Sequence, residues 1–179
     1  TARYGAGMFN RSNSSPIMTS VVIKNNMPVE DGGGMYNDDA SSPSMTNVII
    51  IGNTAKNGAG MYNRTNSSPV IINGLIANNA ANTNGGAIRN ESNSAPSLTN
   101  VTIANNTGTT AIYATNGSMP IVNSIIFGNI SASYSPQYSL IQGNTNLTNG
   151  NLDATGVALN DVFINPTNGN YTLKTGSVA

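Results

Sequence analysis

The chain contains no cysteine and no histidine, and its seven Lys and Arg against seven Asp and Glu make up only 8% of 179 residues. Without cysteine there is neither a disulfide scaffold nor thiol chemistry, and without histidine there is no His-bearing zinc site and no His-dependent triad. Sparse, balanced charge gives no electrostatic attraction to phosphate backbones or anionic bilayers, so nucleic acid is not an expected partner. No apolar run approaches the roughly 20 residues that cross a bilayer as a helix, and no basic segment followed by an apolar one opens the chain. Direct membrane insertion is therefore not expected, and nothing in the composition implies a cofactor. The apolar share, 38%, suffices for a single domain with its own core.

What the chain has is a repeat. GAGMFNRSNSSPIMTSVVIKNN (5–26) returns as GGGMYNDDASSPSMTNVIIIGN (32–53), GAGMYNRTNSSPVIINGLIANN (58–79) and GGAIRNESNSAPSLTNVTIANN (85–106), with a weaker copy, TTAIYATNGSMPIVNSIIFGN (109–129). Pro16, Pro43, Pro69, Pro96 and Pro120 mark one position in each copy, at spacings of 27, 26, 27 and 24 residues. Within a copy, apolar residues alternate in short runs broken by Gly, Asn, Ser and Pro, which reads as short strands and turns rather than helices. A unit of about 26 residues cannot bury its own apolar face, so the copies must stack as coils with equivalent strands paired in parallel about 4.8 Å apart. The expected fold is all-β, a right-handed parallel β-helix: one domain over 1–179, with regular coils over 5–129 and irregular closing coils over 130–179. Full repeat character from the first coil makes the chain read as a segment of a longer rod.

Alternation separates core from surface. In the first strand Ala6, Gly33, Ala59 and Gly86 alternate with an inward column of Met8, Met35, Met61, Ile88 and Ile112. After the proline, Met18, Met45, Ile71 and Leu98 point inward, followed past a bend by Val21, Val48 and Val101, and then by Ile23, Ile50, Ile76, Ile103 and Ile126. Burial of each contributes roughly 1.5–3 kcal/mol before the entropy cost. Asn10, Asn37, Asn63 and Asn90 share the inward parity at the end of the first strand, while Asn47, Asn73, Asn100 and Asn123 sit at the bend. Both sets are expected to form amide ladders that satisfy turn groups from coil to coil. Arg11, Asp38, Arg64 and Glu91 form an outward column of alternating sign, a register device.

At this point the residues resemble a known group. Ile23-Lys24-Asn25-Asn26 followed by Gly33-Gly34-Met35, and Ile76-Ala77-Asn78-Asn79 followed by Gly85-Gly86-Ala87-Ile88, are similar to the FxxN and GGAI repeats of polymorphic outer-membrane proteins. The tail, NSIIFGN (123–129), YSLIQGN (138–144) and DVFINPTNGNYTLKTGSVA (161–179), resembles the closing segment of secreted β-helix proteins of Bacteroidota with a choice-of-anchor domain. The resemblance implies export to the cell surface or medium, an adhesive or structural role, and no catalytic residues. Ile stands here where those repeats usually carry Phe.

Right-handed β-helices also host polysaccharide lyases and glycoside hydrolases, which makes a polysaccharide-active enzyme the alternative. Such chemistry generally wants two carboxyl groups on one groove, or acidic calcium ligands with a basic proton acceptor. The candidates are few: Glu30 and Asp31 in one turn, Asp38 and Asp39 in another, Asp153 and Asp161 in the tail. Glu30, Asp31, Asp38 and Asp39 are at most a weak calcium group, since the repeats lack GGxGxD. The Asn-x-Ser/Thr triplets follow from composition and imply no glycosylation. A second alternative is an ice-binding face, but the outward Thr19, Thr46, Ile72, Thr99 and Val122 interrupt a threonine column. The adjacent outward column, Val22, Ile49, Leu75, Thr102 and Ile125, is mostly apolar and expected to be covered. The candidate ligand-binding strip is Phe9, Tyr36, Tyr62, Arg89 and Tyr113, one position in consecutive first strands, opposite in parity to the buried Met/Ile column. Rings about 4.8 Å apart along this strip would offer stacking surface to a glycan or a protein partner, or would serve coil stacking itself.

Overall fold

In the computed structural model, which describes residues 2–179, each copy of the repeat is one coil of a parallel β-helix. The first strands, Met8–Asn10, Met35–Asn37, Met61–Asn63, Ile88–Asn90 and the start of Ile112–Val122, pair in parallel. Their register matches Met8 to Met35, Met35 to Met61, Met61 to Ile88 and Ile88 to Ile112, so the inward column forms as the repeat alignment requires. The second and third faces are continuous in coils two to four, where Ser44–Ile51, Val70–Ala77 and Ser97–Ala104 each bend at an asparagine. Asn47, Asn73 and Asn100 have φ of 55°, a left-handed conformation that asparagine tolerates better than other side-chain-bearing residues. The bends of coils two and four turn Val48 and Val101 inward between the flanking apolar positions, with Gly74 at that place in coil three, and the inward residues join one contiguous core.

The turns repeat as faithfully as the strands. Gly5, Gly32, Gly58 and Gly85 open the first strands of coils one to four with φ between 55° and 70°. A Cβ at Gly32 would sit 2.7 Å from the Met35 carbonyl oxygen, so the glycine opening of the repeat is a steric requirement. Past the first strand, Ser12-Asn13, Asp39-Ala40, Thr65-Asn66 and Ser92-Asn93 are all left-handed pairs.

The fifth coil departs from the pattern. Its shorter turn lets the first and second strands merge into Ile112–Val122, with a register shift between Tyr113 and Ser118 against the next coil. Parallel pairing then runs past residue 129: Ile130–Gln137 stacks on Ile112–Val122, and Ile125–Ile126, Leu140–Ile141 and Leu152–Asp153 stack in sequence. Beyond that point the chain leaves the coil path. A short helix, Leu159–Val162, and an antiparallel pair, Phe163–Asn165 with Asn170–Leu173, build a second core in which Val162 and Phe163 bury Phe127, Leu140 and Ala154. The closing segment is thus more than irregular coil: it folds back along the flank, and Tyr171 reaches Asn78 and Asn105 of the third and fourth coils.

Candidate functional site

Every coil places the residue after its inward Met or Ile on the outside of the first strand, and parallel register puts those residues directly above one another. The strip Phe9, Tyr36, Tyr62, Arg89 and Tyr113 therefore exists as a column. Phe9 and Tyr36 stack with centroids 5.4 Å apart, and Tyr36 and Tyr62 stack at 5.0 Å with planes 6° apart. Tyr4 adds a ring 5.1 Å from Tyr36. The Arg89 guanidinium lies 5.7 Å from the Tyr62 centroid and 5.0 Å from that of Tyr113, a cation held between two rings.

Outward parity does not make the column an open platform. Tyr36 and Tyr62 are only 4% and 5% exposed, because each ring is sandwiched by its neighbours and packed against the glycine turn that opens its strand. Arg89 and Tyr113 are half-buried, and Phe9, at the N-terminal edge, is 47% exposed. Most of the aromatic area is consumed by coil stacking.

A polar network locks this column. The Tyr62 hydroxyl donates to Glu91 Oε2 at 2.5 Å, Arg89 Nε donates to Glu91 Oε1 at 2.9 Å, and Arg89 Nη1 donates to Asn57 Oδ1 at 2.5 Å. Asn57 Nδ2 in turn donates to Asp31 Oδ1 at 2.8 Å. Burial pushes the Glu91 carboxyl up, but the Tyr62 hydroxyl and the Arg89 guanidinium together outweigh it and leave its pKa below the ordinary value. Burial, reinforced by that carboxylate, pushes the Tyr62 phenol up and keeps it a proton donor.

The alternating charge column behaves differently from its sequence pattern. Backbone bonds from Asp38, Arg64 and Glu91 to the carbonyls of Asn10, Asn37 and Asn63 place these residues in consecutive coils. Among the described residues the ion pairs are Arg3–Glu30 and Arg89–Glu91, so Glu91 pairs along its own strand rather than with Arg64. The acidic candidates also stay apart. Glu30 accepts from Arg3 and Tyr4, Asp38 accepts from the Asp39 amide, and Asp39 accepts from Ser12. Among the described residues no three acidic side chains converge on a point where a metal ion would sit. The tail's Asp153 takes the Gly143 and Thr155 amides and the Thr155 hydroxyl, a local turn contact.

Of the asparagine ladders, Asn10–Asn37–Asn63–Asn90 is continuous, each amide donating to the next at 2.8 Å inside the core wall. The bend ladder links Asn47, Asn73 and Asn100 in solvent, and does not extend to Asn123. A third ladder runs along the corner after the third strand. Asn26, Asn53, Asn79 and Asn106 bond in series through their side chains. The amides of Asn53, Asn79 and Asn106 also donate to the carbonyls of Ile23, Ile50 and Ile76. The signal is the closing asparagine of each IxxN motif, but sequence parity says nothing about a side chain that turns in at a corner.

On the other flank Thr19, Thr46, Ile72, Thr99 and Val122 are aligned in register, as are Val22, Ile49, Leu75, Thr102 and Ile125. The tail covers the second column only at its C-terminal end, where Ile125 packs with Leu140 and Phe163, while Val22 remains 54% exposed.

No protein-family model, no curated protein and no solved structure matches the chain. The likeness to outer-membrane repeats accordingly stands on the quoted motifs alone.

Proposed function

We propose that the chain is a non-catalytic, structural or adhesive β-helix segment of a secreted or cell-surface bacterial protein, with a glycan or a surface protein as partner and further coils of the same polypeptide as neighbours. Secretion and the bacterial surface rest on the motif resemblance. The role rests on one observation: the polar side chains along the first strands and at the corners are engaged in holding coils to each other, and among the described residues no three acidic side chains converge. Asn57, Arg89, Glu91 and Tyr62 form one locked network across coils, and two asparagine columns fill the wall with mutually satisfied amides. Such a body is a stiff spacer whose partners meet its surface rather than a groove.

The test is incubation with pectin, alginate, chondroitin and related glycans, followed by assay for new reducing ends and unsaturated products. No turnover is expected. Reproducible turnover that disappears in Asp38→Ala, in a variant that keeps its β-rich circular dichroism, would overturn the reading.

A further inference from the structure

The aromatic column stops for a reason that can be read from the register. Phe9 meets Tyr36, Tyr36 meets Tyr62, Tyr62 meets Arg89 and Arg89 meets Tyr113, but the residue paired with Tyr113 in the following coil is Ser131. One face of the Tyr113 ring is occupied by the Arg89 guanidinium, 5.0 Å from its centroid. On the side of the following coil its register partner is Ser131, an exposed residue with no ring to stack on Tyr113, which is itself half-buried. The strand Ile112–Val122 bulges between Tyr113 and Ser118, and Thr115, Asn116 and Ser133 around it are all exposed.

We propose that the uncovered face of Tyr113, bordered by Ser131 and Thr115, is a stacking subsite for one neutral sugar ring. The inference rests on the adhesive reading above and narrows it from the whole strip to the strip's C-terminal end. Three features favour a sugar over an apolar protein surface. A single ring face matches the C–H face of a pyranose in size and polarity. Its rim carries the hydroxyls of the exposed Ser131 and Thr115, which an apolar partner would strip of water without replacing the bonds, whereas sugar hydroxyls satisfy them. The nearest cation, Arg89, is already neutralised by Glu91, so the subsite carries no charge that selects an anion. Arg89 and Glu91 act as positioning residues that hold the ring flat from beneath.

The experiment is a glycan array spanning neutral and uronic-acid oligosaccharides, followed by calorimetric titration of the best neutral binder against wild type, Tyr113→Ala, Ser131→Tyr and Phe9→Ala. Ser131→Tyr is the decisive variant, because at an exposed position in register with Tyr113 it continues the column by one ring and fills the subsite, with β-rich circular dichroism checking that the variant is folded. Wild type is expected to bind a neutral glycan, with affinity falling at least about tenfold in Tyr113→Ala and in Ser131→Tyr and holding in Phe9→Ala. The proposal is overturned if wild type binds no neutral glycan, if either Tyr113→Ala or Ser131→Tyr binds as wild type does, or if Phe9→Ala loses binding equally. Cleavage of the bound glycan would overturn the non-catalytic reading alone, since the variants would still report whether the ring is the platform.

Discussion

Left-handed backbone is the recurrent demand this fold makes on single residues. At the second position of the turn after each first strand the chain uses Asn13, Asn66 and Asn93, but Ala40 in the second coil, with φ of 58°. An L-residue with a Cβ loses about 1–2 kcal/mol in this conformation, and asparagine recovers part of it through local hydrogen bonding. Ala40 is exposed, so a larger polar side chain meets no packing obstacle. Ala40→Asn is expected to stabilise the protein by about 0.5–1 kcal/mol, read as a rise of a few degrees in the thermal midpoint. An unchanged or lowered midpoint would show that the conformation carries no strain at this position.

Columns, rather than individual strands, are the elements that hold the molecule together, and the two kinds of asparagine column should answer differently to mutation. Asn63 is fully buried between Asn37 and Asn90. Asn63→Ala strands one donor and one acceptor in the wall, at roughly 1–3 kcal/mol each, so denaturant melts should show a loss of about 2–6 kcal/mol. Asn100→Gly removes an equally regular but solvent-exposed ladder member and keeps the left-handed φ available, so a loss well under about 1 kcal/mol is expected. The Tyr62–Glu91–Arg89 network adds a pH signature. Because the folded-state pKa of Glu91 is depressed below its ordinary 4.5, its contribution is complete above that value and is lost as pH falls through the folded pKa. The stability gap between wild type and Glu91→Gln should therefore be constant near neutrality and close only as pH falls through the depressed folded-state pKa of Glu91. A gap that persists at low pH would assign the effect to packing of the side chain instead of its charge.

On the scale of the whole molecule, strand pairing among the described residues links each coil to the next, and the tail adds a longer reach. Tyr171 accepts from Asn105 Nδ2 at 2.9 Å and donates to Asn78 Oδ1 at 3.2 Å, so one hydroxyl ties the closing hairpin across two coils. In a nearly one-dimensional structure such a tie acts locally. Tyr171→Phe is expected to weaken the tail by about 1 kcal/mol and to speed hydrogen exchange several-fold in 163–173. Exchange in Met35–Asn37 and Met61–Asn63 should stay unchanged; faster exchange there as well would mean that the tail controls the rod as a cooperative unit.

The amino-acid sequence by itself determined the all-β parallel fold, the register of every inward column and the buried ladder from Asn10 to Asn90. It did so because a repeat of nearly constant length stacks equivalent positions, and strand parity then says which of them face the core. Only the tertiary structure decided how much surface the outward residues keep. Parity placed Tyr36 and Tyr62 outside, but their burial depends on ring-to-ring distance and on the glycine turns beside them. The fate of Glu91 was equally a matter of reach, since Arg89 two residues away outcompetes Arg64 one coil away. The tail lay beyond the repeat's logic altogether: once equivalence ends, which flank receives Val162, Phe163 and Tyr171 is set by the apolar surface that Phe127 and Leu140 leave uncovered, and that surface exists only after the coils have stacked.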